Sequence, residues 1–265
     1  MNPEKPLPNG AVTRAGAVDS PLGLLAIGAH PDDVEISCGG ILALAVAQGL
    51  AVGILDLTRG ELGTNGTPET RGAEAEAAAR ILGVPRRWNA ELPDGGIDAG
   101  DRAQEWRVVE ILRRARPSVI LSHYREDRHP DHVQASRLVD RAWYMAGLER
   151  YDAPGPAFRP SGRYYFASRV GFTPSVVVDV TAVWDRKRKA IAAYQSQISR
   201  DASGALPTSL NEPDVLDRFE ARARHFGSMI GVRYGEPLAS DLPIGVRALS
   251  ALFDAPRPSP GAFTG

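Results

Sequence analysis

Two tetrapeptides concentrate the residues of this chain that could hold a metal and use it. His30-Pro31-Asp32-Asp33, extended by Glu35, crowds one imidazole and three carboxylates into six positions. His129-Pro130-Asp131-His132 lies far downstream, and the two together hold three of the five histidines. His and Asp suit a hydrolytic zinc site, which takes three protein ligands and keeps a position for water. The metal draws the pKa of that water towards neutrality. On a turn between a strand and a helix, His30 and Asp33 can converge on one ion, while Pro31 restricts the turn and offers no N–H. His129 and His132 are three apart, so at a helix start they share a face. One can bind metal while the other serves as acid or electrophile. Two ligands from the first cluster and one from the second leave Asp32 as the general base for the attacking water. The motifs themselves leave open which member of each pair binds the ion. Glu35 supports this cluster or sits in a first helical turn, where the dipole favours an acid.

Such groups need a scaffold that brings two distant segments together. Short apolar runs predict strands over Leu22–Ala29, Ala51–Thr58, Ser118–His123 and Ser175–Val180, with a weaker one over Arg86–Leu92. Helices fit Ser37–Gln48, Pro68–Leu82, Asp101–Ala115 and Asp131–Met145; Gly83 with Pro85, and Pro117, supply stop signals. The alternation argues for an α/β, Rossmann-like fold: a mainly parallel sheet flanked by helices on both faces. Ligands in such sheets sit beyond the carboxyl ends of the strands, where strand order reverses. Both histidine clusters follow a strand end, so the metal site belongs on that C-terminal rim. After Arg150 the pattern loosens, with edge strands at Tyr164–Ser168 and Ser175–Val180 and helices at Asp185–Tyr194 and Asp214–Met229. Ile198–Asn211 reads as a loop. Residues 1–20 read as a flexible arm, 21–255 as one domain and 256–265 as a flexible tail.

Composition removes several classes. A net charge of -1 and a pI near 6.5 give no basic footprint for nucleic acid. No apolar run is long enough to cross a bilayer, and the N-terminus lacks the apolar core of a secretory signal. One cysteine, Cys38, builds no disulfide framework and suits a reducing, cytoplasmic setting. The glycines around the first cluster invite a dinucleotide-binding reading, but the G-x-G-x-x-G spacing is absent and carboxylates fill the turn where phosphates would sit. Cys38 reads as a small buried residue, His123 as a packing or supporting residue, and His225 as helix surface. Asn65-Gly66-Thr67 reads as a turn.

The stretches AIGAHPDDVEISCGG and EDRHPDH together resemble the zinc-dependent de-N-acetylases of the LmbE-like, or N-acetylglucosaminyl-phosphatidylinositol deacetylase, superfamily. The resemblance runs from Leu22 to Tyr194. DLTRGELGTNGTPETRGAEAEAAARILGV, LPDGGI and AYQSQI look like the bacillithiol-biosynthesis branch, which hydrolyses N-acetylglucosaminyl-malate to glucosaminyl-malate and acetate. The resemblance implies that His30, Asp33 and His132 hold one zinc per chain, a set that iron or manganese also fits. It implies Asp32 as base, His129 as electrophile or acid, and Asp131 as the group orienting His129. Arg71 matches the family's substrate-side arginine, Glu61 and Asp94 its sugar-contacting carboxylates, and Tyr194 a mobile tyrosine near the oxyanion. Arg59, Arg71, Arg125 and Arg128 are the loop cations that could meet the carboxylates of malate. A homo-oligomer is implied as well. The alternatives are a deacetylase for another aminosugar (a mycothiol precursor, a chito-oligosaccharide or an antibiotic intermediate) and a non-catalytic metal- or sugar-binding module.

Overall fold

A computed structural model of the chain describes residues 21–168, 170–200 and 205–245. The arm expected at residues 1–20 and the tail expected at 256–265 lie outside them. Five strands, β1 (Leu24–Gly28), β2 (Val52–Thr58), β3 (Arg86–Leu92), β4 (Val119–His123) and β5 (Gly162–Phe166), form a sheet in the order β3-β2-β1-β4-β5. Every pairing in it is parallel, with Leu24 of β1 opposite Val52 on one side and Val119 on the other. Strand order therefore reverses between β1 and β4, whose carboxyl ends carry the two histidine clusters.

Side chains alternate across the strands, which divides the core into two layers. Leu24, Ala26, Val52 and Ile54 pack against α1 (Asp33–Ala47), α2 (Pro68–Leu82) and α5 (Trp184–Ala192). Leu25, Ile27, Leu55 and Leu57 pack against α3 (Arg102–Ala115) and α4 (Pro130–Ala146). Cover on both faces explains why β1 reads as an apolar run, and β2 as one interrupted by the buried Asp56, rather than as alternating strands. Helix ends follow local chemistry. The Thr67 hydroxyl accepts from the Thr70 amide at 3.2 Å and Pro68 opens α2, which stops at Gly83 with φ 78°. The Asp101 carboxylate caps α3 in the same way, accepting from the Ala103 amide at 2.7 Å.

Three elements depart from the sequence reading. The first helix begins at Asp33 rather than Ser37, because the motif's own backbone starts it: the Ile36 amide donates to the Asp32 carbonyl at 3.0 Å. The run at Ser175–Val180 does form a strand, β6 (Val176–Asp179), but outside the parallel sheet. It pairs antiparallel with β7 (Gly235–Leu238), a segment whose Gly, Glu and Pro hide it from pattern reading. An isolated antiparallel bridge from Tyr165 to Ala239 ties this ribbon to the sheet edge. The expected loop at Ile198–Asn211 opens with the end of a single-turn helix, α6 (Gln195–Ile198), and the last helix, α7 (Val215–Met229), falls where expected. Among the described residues, no helix is long and apolar enough to cross a membrane.

Candidate metal centre and its cavity

The turn after β1 puts Asp32 at φ 112°, ψ -30°, a conformation that costs a non-glycine residue ~1–3 kcal/mol and persists only when its surroundings enforce it. Arg71 is the enforcer. Its guanidinium is buried and donates to the Pro31 carbonyl at 2.6 Å, the Gly60 carbonyl at 3.1 Å and the Asp32 carboxylate at 3.3 Å. Gly60 is required for this approach, since a Cβ there would lie 2.0 Å from the Arg71 Nη1.

Asp33 is the hub. Its Oδ2 accepts from the His30 amide at 2.8 Å and stands 3.4 Å from His30 Nδ1; its Oδ1 is 3.2 Å from His132 Nε2. His132 is turned towards it by Asp127, whose Oδ1 lies 3.3 Å from the other ring nitrogen. His123, at the end of β4, stacks on His132 at 4.1 Å between ring centroids, with its Nε2 3.2 Å from Asp33 Oδ2. Donor atoms fall within 4.8 Å of one another in three overlapping triads: His30/His129/His132, Asp33/His123/His132 and His30/Asp94/Asp131.

The charges explain why such a cluster suits a cation. Burial alone would raise the Asp33 pKa, but His132 and His123 beside it hold its carboxyl well below the usual range. Burial opposes protonation of His132, yet Asp33 and Asp127 push it up to about 9. His30 is likewise raised, against burial, by Asp131, Asp33 and Asp94. A proton and a divalent ion on a ring nitrogen are favoured by the same carboxylates, so this donor set fits a metal. His123 is the exception: burial, with His132 next to it, drives it down to about 4, so it is neutral. Asp32 is pushed up to about 7 by burial, with Arg71 pulling the other way.

His129 caps α4, its Nδ1 accepting from the Asp131 amide at 3.2 Å. That bond leaves the proton on Nε2, and burial together with His30 and His132 lowers its pKa. His129 is thus a neutral N–H donor.

Two expectations need correcting. The Asp131 carboxylate does not orient His129. Its Oδ2 sits 3.2 Å from His30 Nε2 and accepts from the Gly95 amide at 2.7 Å, so it is His30 that it holds. Tyr194 does not reach the site: it is 1% exposed in the core, and its hydroxyl accepts from Arg87 at 3.0 Å. Glu61 and Asp94 are near the site but occupied. Asp94 gives one oxygen to His30 Nε2 (3.1 Å) and the other to the Leu62 amide (2.8 Å). Glu61 is exposed and accepts from the Asp94 and Arg59 amides.

The cluster floors a cavity of about 700 Å³. Leu62, Gly63 and Thr64 form one side, and Arg218, Phe219 and Arg222 of α7 form another. Among the described residues, four arginines (71, 128, 218 and 222) line it against three carboxylates (32, 33 and 94). Arg128 is exposed there, with no hydrogen bond or ion pair to a described residue. Arg222 donates only to the Ser168 and Ala167 carbonyls among the described residues. Arg125 instead pairs with Asp241 at 2.9 Å, and neither it nor Arg59 lines the cavity. The sequence reading missed Asp127, Arg87, and the α7 pair. Arg218 and Arg222 are spaced i, i+4 on a helix that sequence did place, but no local signal says which surface that helix covers.

Comparison with known proteins adds four findings. The family model for PIG-L, GlcNAc-PI de-N-acetylase, matches residues 25–143. Among curated proteins, the chain is 26% identical over 259 residues to the 1D-myo-inositol 2-acetamido-2-deoxy-alpha-D-glucopyranoside deacetylase of Rhodococcus opacus, covering 73% of this chain and 89% of that one. It is also 29% identical over 194 residues to the 4-oxalmesaconate hydratase of Pseudomonas putida, covering 65% and 73%. Among solved structures, the conserved protein TT1542 of Thermus thermophilus matches with 40% identity and a TM-score of 0.78, over 85% of this chain and 97% of that one.

Proposed function

The chain belongs to the PIG-L, or GlcNAc-PI de-N-acetylase, family, and from that premise we propose that it hydrolyses the acetamide of a small N-acetylglucosaminide, most specifically N-acetylglucosaminyl-malate. The observation that carries this reading is Asp32: a buried, strained carboxylate held by Arg71 and adjoining His30, Asp33 and His132 on one rim. A pure metal- or sugar-binding module has no use for it.

In this reading His30, Asp33 and His132 hold the metal. A bound zinc supplies Lewis-acid activation of water and of the acetyl carbonyl. Asp32 accepts the proton of the attacking water. His129 presents Nε2–H to the carbonyl oxygen, where a neutral donor is effective because it costs no charge in the resting site. The proton taken by Asp32 passes to the departing glucosamine nitrogen. Asp131 and Asp94 hold His30 from behind, and Arg71 keeps the base in its strained conformation.

The arginine-rich outer cavity supports an anionic aglycone such as malate. Arg128 has no partner among the described residues, and Arg222 is a half-buried cation satisfied only by carbonyls, so each gains from a substrate carboxylate. The same arginines favour a second reading, water addition to an unsaturated polycarboxylate, the activity named for the Pseudomonas relative. The proposal takes residues 21–255 as one catalytic domain and the enzyme as a cytoplasmic homo-oligomer.

The deciding experiment combines metal content by mass spectrometry with a substrate panel. Acetate release is measured from N-acetylglucosaminyl-malate, N-acetylglucosamine, diacetylchitobiose and N-acetylglucosaminyl-inositol, and loss of ultraviolet absorbance from an unsaturated tricarboxylate. About one metal per chain with highest kcat/KM on the malate conjugate is expected. Preference for a neutral glycoside moves the substrate, hydration without acetate release replaces the reaction, and no bound metal sinks both.

A further inference from the structure

The first helix is broken just behind the site. Cys38 has φ -140°, ψ 19° in the middle of α1, which separates a short segment, Asp33 to Ser37, from the rest. In an unbroken helix the amides of Gly40 and Ile41 would bond to carbonyls four residues back. Here they donate to the two carboxylate oxygens of Glu236 on β7, at 2.9 and 2.7 Å. Glu236 is 2% exposed and pairs with Lys187 of α5, itself 4% exposed, at 2.5 Å. Gly40 makes the approach possible, since a Cβ there would meet Glu236 Oε1 at 2.8 Å and Val180 at 2.9 Å.

This carboxylate acts as an N-cap for the second part of the helix, delivered from a strand almost two hundred positions away in the chain. Charge-assisted bonds of this kind are stronger than neutral ones, and a negative group suits a helix N-terminus. The short segment is also gripped along its length. Arg87 of β3 donates to Glu35 at 2.5 Å and to Asp56 at 2.6 and 2.8 Å. Its direction is thus set at the break by Glu236 and along its flank by Arg87, and that direction aims Asp32 and Asp33.

We infer that Glu236, neutralised by Lys187, is a positioning residue for the two reacting carboxylates, fixing through the broken helix where Asp33 meets the metal and where Asp32 meets water. The ribbon of β6 and β7 is then part of the catalytic machinery at one remove. Sub-ångström errors in such placement cost rate steeply. The inference rests on the metal-centre reading, but not on the identity of the substrate.

The test is Glu236→Gln in the full chain, read by zinc affinity in competition with a chromophoric chelator and by kcat and KM on whichever panel substrate turns over. Expected are a zinc dissociation constant raised about tenfold and a lower kcat with KM little changed. Arg113→Met is the control. Arg113 is a buried cation between α3 and α4 whose guanidinium donates to four backbone carbonyls, so its loss lowers the melting temperature without touching α1. Its zinc affinity and kcat should stay at wild type. Should Glu236→Gln fold poorly because Lys187 is left unpaired, the double variant Glu236→Gln/Lys187→Met removes both charges. It keeps one oxygen for two amides, so the weakened zinc affinity should persist. Wild-type zinc affinity and kcat in either folded variant overturn the inference. Failure of every panel substrate leaves the chelator measurement intact, which separates this inference from the substrate reading.

Discussion

The floor and the wall of the cavity are built by different rules. On the floor, the charged groups of the metal cluster are tied to one another: Asp33 meets three histidines, His30 meets Asp94 and Asp131, and His132 meets Asp127. All of it except Asp94, which follows β3, hangs from the ends of β1 and β4, strands buried almost throughout. On the wall, Leu62 is 71% exposed, Arg128 has no partner among the described residues, and Arg218 leans on Glu212 and Asp214 at the surface. A floor with no slack sets one reaction. A wall of exposed loop, with Arg128 and Arg222 lacking a carboxylate partner among the described residues, can be changed without disturbing that floor, so on the proposed reading it is where substrate choice resides.

The sharpest way to break this contrast is to strike the floor at the base. Asp32→Ala should lower kcat by about 10²–10⁴-fold while zinc stoichiometry stays at wild type, because no ligand is removed. Mass spectrometry and steady-state kinetics on one preparation decide it. A variant that turns over at near wild-type rate, or one that has lost its zinc, contradicts the assignment.

The next largest effect separates two roles for Asp131. Holding His30, its replacement in Asp131→Asn should weaken zinc binding by about 10–100-fold, the usual cost of losing a carboxylate behind a ligating histidine. If instead it oriented His129, zinc affinity would be untouched and kcat alone would fall. Chelator competition distinguishes the two without any substrate.

The wall should respond in KM. Arg222→Met and Arg128→Met each remove a donor to a substrate carboxylate, a bond to a charged group of about 1.5–3 kcal/mol. KM for an anionic N-acetylglucosaminide should rise at least tenfold, with kcat near wild type and no change for neutral N-acetylglucosamine. Equal losses on charged and neutral substrates would show these arginines to be structural and the wall to be part of the floor.

The floor was legible in sequence because its chemistry is local. HPDD and HPDH each announce donors at fixed spacing, and the flanking apolar runs announce strands that end there. The parallel sheet followed from alternation of strand and helix, whereas the reversal between β1 and β4 is a matter of strand order that alternation does not give. What sequence could not supply was pairing over distance. Asp131 lies close to His129 in the chain, and the resemblance paired the two, while the fold carries its carboxylate to His30, 101 positions away. β7 was invisible because four residues containing Gly, Glu and Pro have no strand signature; its partners, not its composition, make it a strand. Arg87, inside the weaker strand run, carries no local signal, though it binds Glu35, Asp56 and Tyr194 at once.

The smallest predicted effect tests the boundary of the floor itself. Tyr194 sits behind the cluster, with its hydroxyl accepting from Arg87, and burial pushes its pKa well up, so it stays protonated. Arg87 keeps its bonds to Asp56 and Glu35 when that hydroxyl is removed. Tyr194→Phe should therefore cost only about 0.5–1.5 kcal/mol of stability, seen as a modest drop in melting temperature, and leave kcat and zinc affinity unchanged. A tyrosine that swung into the cavity to meet the oxyanion would behave in the opposite way: kcat would fall at least tenfold with little change in stability. For the swing to occur, the largest fully buried side chain of the core would have to leave it, opening a void beneath α1 and α2 and abandoning an arginine shared with two carboxylates. Packing opposes that motion, and the phenylalanine variant measures whether packing or proximity governs this residue.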